Sequence, residues 1–184
     1  LGLQLDYFLN LEADVITSCC GSLFSEDTKG LSGDLAALPP VPAMAIFYVG
    51  MGAAIAIAAW HGLRRNAGYL VALASIAAFA VAIAGILAFV SLYIYEHPHH
   101  HCPFCILKPE YGHQGYLLYV PLFVATAAGI GAGAIQPFRG IASLREVVPR
   151  VSARLATVAA TGFALVVVVA TWMVLRSNLI LLEG

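Results

Sequence analysis

Charge is what this chain has least of. Nine Lys and Arg and ten Asp and Glu are spread over 184 residues, 10% of the total, against a hydrophobic content of 61%. A soluble domain carries about 25% charged residues. So little polar surface cannot cover a water-facing globule, and lipid is the expected solvent. Four long runs, 41–60, 69–95, 115–135 and 155–175, contain no Asp, Glu, Lys or Arg at all. Each matches the roughly 20 apolar residues that a bilayer-crossing helix needs. The lack of charge inside these runs leaves no visible ion or proton path and argues against a pump or transporter. A net charge of -1, with no basic cluster on an aromatic platform, argues against nucleic acid as a partner. There is no CxxCH, so covalent c-type haem attachment has no support, and no internal repeat is evident.

The expected fold is all-α: a polytopic membrane bundle of four transmembrane helices over residues 41–184. Ahead of it, residues 1–40 are expected to form an outer-face helix and loop carrying Cys19 and Cys20. The helix would end near Gly21, and residues 25–42 read as a loop stiffened by proline. Leu1 stands where a start methionine would, as expected of a processed or partial chain. Gly50-Met51-Gly52-Ala53-Ala54 and the Gly129/Gly133 stripe are small enough for close backbone approach. Internal packing is the expected use of the stripe, ahead of dimer formation.

The few charges that exist are asymmetrically placed. Arg64 and Arg65 follow the first run, and Arg139, Arg145, Arg150 and Arg154 follow the third. By the positive-inside rule these two loops are cytoplasmic. Apart from Glu146, every Asp and Glu lies in the opposite segments. Both termini and the loop at 96–114 would then face outward, in the periplasm of a bacterium whose inner membrane holds the chain. His61 reads as an anchor at the inner interface. Tyr111, Tyr116 and Tyr119 read as part of an outer aromatic belt, ahead of a quinone site.

Chemistry is concentrated in one place. Glu96-His97-Pro98-His99-His100-His101-Cys102-Pro103-Phe104-Cys105 holds four of the six histidines and two of the four cysteines. Two thiols at CxxC spacing can form and release a disulfide across one turn. A helix starting at Cys102 would aim backbone N–H groups at its sulfur, and His100 and His101 would add positive charge and proton relays. The same atoms suit a metal. Cys102 and Cys105, with Cys19 and Cys20 or with His97, His99, His100, His101 or His113, could hold zinc or copper, and a lone histidine could ligate haem. A third use is structural. On an oxidising side, bridges from Cys19 and Cys20 to Cys102 and Cys105 would staple the N-terminal segment down, adding about 4 kcal/mol.

A CPxC at the outer end of a helix, preceded by a second cysteine pair in an outer loop of a small helical bundle, resembles the vitamin K epoxide reductase and DsbB-like membrane thiol oxidoreductases. The resemblance implies that Cys102 and Cys105 face a membrane quinone. It also implies that Cys19 and Cys20 relay electrons from a periplasmic thiol protein. Cys19 and Cys20 are adjacent here, whereas that family spaces its shuttle cysteines apart, and a vicinal disulfide closes a strained ring. The histidine run is likewise outside the family pattern. The expected function is therefore thiol–disulfide exchange coupled to a quinone in the bilayer. The alternatives are a metal- or haem-binding module, or an accessory subunit of a larger membrane complex.

Overall fold

The structure, a computed structural model, describes residues 38–96 and 102–178. The helix and loop expected over residues 1–40 lie almost wholly outside these. All described regular structure is helical: α1 Pro40–Arg64, α2 Gly68–Gly85, a π-helical turn Ile86–Val90, α3 Ser91–Tyr95, α4 Gln114–Ala134 and α5 Val147–Arg176. The segment from Gly68 to Tyr95 runs as one rod of 28 residues, so four helices are long and apolar enough to cross a membrane.

Each helix packs on its neighbours in chain order, and α5 closes the ring against α1. The interior is built from small side chains. Ala54, Ala58, Ala78, Ala82, Ala125, Ala132, Ala156 and Ala159 are buried, with Phe47, Phe89 and Phe163 filling the wider gaps. Large apolar residues point the other way: Val49, Leu63, Leu73, Val168 and Leu175 are each more than 60% exposed. A soluble monomer does not leave patches of that size in water, and they suit the hydrocarbon core of a bilayer.

Glycines set the closest approaches. A Cβ on Gly129 would fall 1.9 Å from Ser75 Oγ, and one on Gly133 would fall 2.5 Å from Ala72 Cβ. The stripe therefore lies against α2 inside the bundle, as expected from its small residues. Gly162 of α5 meets Ala125 of α4 in the same way.

Two expectations change. α5 begins at Val147, eight residues before the charge-free run, because arginine is a good helix former and only the bilayer excludes it. Its first turns bury Val148, Ser152 and Ala156 and expose Arg150 and Arg154. His61 is also not an interfacial anchor but is fully buried. Its Nδ1 accepts the Ala67 N–H at 2.9 Å, which places the ring proton on Nε2, 2.7 Å from Ser152 Oγ. Ser152 donates to the Ala132 carbonyl at 2.9 Å and accepts from Gln136 Nε2 at 2.7 Å. One hydroxyl thus ties α1, α4, α5 and the α1–α2 turn together. Its hydrogen-bonding capacity is full, which is what makes a polar cluster tolerable in an apolar core.

Candidate functional site

The CPFC motif lies at the opposite end from this cluster. Cys102 is followed by a turn at Pro103 and Phe104, and Cys105 opens a single 3-10 turn, Cys105–Leu107. The Leu107 N–H donates to Phe104 O at 3.1 Å and the Lys108 N–H to Cys105 O at 3.0 Å. A second 3-10 turn, Pro109–Tyr111, leads to Gly112 and His113, both left-handed, which swing the chain into α4. A helix start at Cys102 is therefore not formed. Two prolines and a left-handed pair break the path, and α4 begins only at Gln114.

The loop folds back onto the bundle. Ile106 is fully buried, and Gly115 lets it approach so closely that a Cβ there would sit 2.8 Å from Ile106 Cγ1. Cys102 and Cys105 are 1% and 6% exposed, whereas Phe104 between them is 63% exposed. The two sulfurs are not bonded to one another. Two phenols pin the turn: the Tyr95 hydroxyl donates to the Cys102 carbonyl, and the Tyr119 hydroxyl to the Pro103 carbonyl at 2.8 Å. Tyr95 is braced edge-on by Tyr111, with ring centroids 4.7 Å apart.

Beneath the turn, between α2 and α4, lies an apolar cavity of about 650 Å³. Pro103, Phe104 and Leu107 line one part of it, Ile83 and Leu87 come from the α2 rod, and Tyr116, Tyr119, Val120, Phe123 and Val124 come from α4. Its size is in the range of cofactor sites. Phe104, Tyr116, Val120, Phe123 and Val124 are all exposed on the outer surface of the bundle, so the cavity opens sideways, where lipid would be. The π turn is adjacent: Ser91 N–H donates to Ile86 O, five residues back, and Leu87 within that turn lines the cavity. Such turns rotate the residues beyond them and recur at functional sites.

Of the residues singled out from the sequence, Cys102 and Cys105 are both buried in the one folded-back turn. Cys19, Cys20, His97, His99, His100 and His101 lie outside the described residues. His113 is exposed at the start of α4, its Nδ1 donating to Leu107 O at 2.8 Å. Among the described residues no three His, Cys, Asp or Glu converge on a common point. The sequence reading missed the roles of Tyr95 and Tyr119, and it assigned Tyr116 and Tyr119 to a belt although both line the cavity. A tyrosine at a span end carries the same sequence signal whether it meets lipid headgroups or a folded-back loop.

Removing one phenol hydrogen bond should loosen the turn by about 1 kcal/mol. Tyr95→Phe and Tyr119→Phe are each expected to raise the alkylation rate of the buried thiols about fivefold, if local opening limits access. Maleimide labelling in native membranes reads this. Rates equal to wild type would mean that the phenols do not hold the motif.

Set beside known proteins, the chain matches no family model, no curated protein and no solved structure, so its function is argued from this geometry.

Proposed function

We propose that the chain is a membrane thiol–disulfide oxidoreductase whose Cys102–Cys105 pair exchanges electrons with a quinone held in the lateral cavity. One observation carries the reading: the two residues between the cysteines, Pro103 and Phe104, line an apolar cavity that opens where lipid would be. A soluble dithiol needs no such cavity. A lipid-dissolved acceptor does. In the step, the S–S bond forms between Cys102 and Cys105, and two electrons and the two thiol protons pass to the quinone, which leaves as hydroquinone. Burial of both sulfurs keeps bulk oxidants away, so the acceptor is chosen by the cavity and not by exposure.

In this reading the arginine-bearing end is cytoplasmic and the CPFC turn periplasmic, following the positive-inside rule. Cys19 and Cys20 relay electrons from a periplasmic thiol protein to Cys102, and the neighbouring histidines carry protons.

The test uses reduced full-length protein in lipid nanodiscs with a benzoquinone bearing a decyl chain. In a Cys19→Ser, Cys20→Ser background, which isolates the CPFC pair, the protein is expected to form one hydroquinone per chain and to lose two thiols, whereas adding Cys102→Ser or Cys105→Ser abolishes both. A Cys102–Cys105 potential below about −300 mV would mark a structural bridge and defeat the proposal. So would thiols that stay reduced in excess quinone.

A further inference from the structure

Six arginines gather at the end of the bundle away from the CPFC turn: Arg64, Arg65, Arg139, Arg145, Arg150 and Arg154, with Glu146 as the one acidic residue in these segments. Among the described residues none of the six forms an ion pair, and Arg64 lies over the Trp60 ring at 5.3 Å. Unpaired guanidinium groups held together on a folded surface attract an anion, and their planar fork matches phosphate oxygens.

The loop between α4 and α5 shapes where that anion would go. It consists of two 3-10 turns, Gln136–Gly140 and Ala142–Leu144. Arg139 and Arg145 line a cavity of about 610 Å³, with Gly140 and Ala142 on its wall. A Cβ on Gly140 would meet nothing within 4 Å, so the approach to the backbone is open. Arg139 also lines a second cavity of about 400 Å³, whose wall includes Asn66 and Tyr69. A single guanidinium therefore borders two cavities, one basic and one with neutral polar groups.

Apolar side chains decide the source of the anion. Phe138 and Ile141, beside the arginines on the same loop, are 52% and 48% exposed. A water-borne phosphate has no use for them. Acyl chains below a headgroup do, and arginines are the charged residues that flank the cytoplasmic ends of membrane spans. We propose that this loop binds the phosphodiester of an anionic phospholipid: Arg139 and Arg145 hold the phosphate, Asn66 and Tyr69 meet headgroup hydroxyls, and Phe138 and Ile141 rest on the chains. The site is independent of the redox reading, since it shares no residue with the CPFC end.

Native mass spectrometry of the delipidated full chain in neutral detergent tests it, with dioleoyl phosphatidylglycerol and dioleoyl phosphatidylcholine as probes of identical chain. Wild type is expected to retain the glycerol lipid and to shed the choline lipid at the same concentration. With about 1 kcal/mol per arginine near a membrane surface, Arg139→Gln with Arg145→Gln should weaken phosphatidylglycerol retention about 30-fold. Arg176→Gln, at the other end, should leave it unchanged. A paired Arg139→Lys, Arg145→Lys variant keeps the charge and should keep the preference for the glycerol lipid, which separates a lost site from a lost fold. Equal retention of the two lipids, or wild-type retention in the glutamine variant, overturns the site. Displacement of the lipid by millimolar inorganic phosphate overturns the lipid assignment in favour of a free anion.

Discussion

Tryptophan at Val120 and Val124 is expected to slow quinone-driven oxidation of the Cys102–Cys105 pair at least about tenfold, a barrier increase of about 1.4 kcal/mol. The two valines are one helical turn apart on α4, line the cavity, and are 55% and 51% exposed, so larger side chains there project into the cavity and its mouth and not into the core. A small water-soluble oxidant such as diamide reaches the buried sulfurs only when the turn opens locally, without using the cavity, and should oxidise both proteins at the same slow rate. That pairing of oxidants is what makes the experiment decisive. If diamide oxidation slows equally, the indoles have disturbed the motif itself. If neither rate moves, the quinone does not use this cavity, and the proposed electron path is wrong. The bilayer-facing placement of both valines predicts unchanged thermal stability in either case.

Gly129→Val should be the most damaging single substitution in the membrane core, costing about 3 kcal/mol or more. The added Cβ alone would lie 1.9 Å from Ser75 Oγ and 2.6 Å from Ser75 Cβ. Ser75 cannot easily give way, because it is buried and its hydroxyl donates to the Val71 carbonyl at 2.7 Å. Helices α2 and α4 would have to separate, and they are the two helices that form the cavity walls. The expected readout is a large fall in the midpoint of thermal unfolding in detergent, with loss of quinone-driven oxidation at temperatures where the fold survives. Gly52→Val is the matched control. A Cβ there meets nothing within 4 Å, so it faces the surroundings and should be nearly silent. Equal midpoints for the two variants would show that the helices do not approach this closely.

Local composition decided a great deal here. The four spans were legible because a bilayer excludes charge over a fixed thickness, and the charge-free runs agree with α1, the α2–α3 rod and α4 to within a few residues. The start of α5 was not, because the same exclusion says nothing about a helix that continues past the bilayer through Arg150 and Arg154. The small-residue stripe at Gly129 and Gly133 was correctly read as internal packing. His61 was misread as an anchor. Its neighbours Arg64 and Arg65 signal an interface, while Ser152, the side chain that its Nε2 meets, is far away in sequence.

The candidate site divides in the same way. By itself the sequence determined that four segments are long and apolar enough to cross a membrane, that the fold is a helical bundle, and that two thiols at CxxC spacing lie just beyond the end of the second of them. These are properties of short stretches, set by hydropathy and spacing. Only the tertiary structure decided that the CPFC turn lies back on the bundle, that Tyr95 and Tyr119 hold its carbonyls, and that Phe104 and Val124 line one cavity. Hydrogen bonds and cavities join groups from different helices, and their geometry depends on how closely α2 and α4 approach. That distance is set by glycines packing against side chains of another helix, which no local pattern encodes.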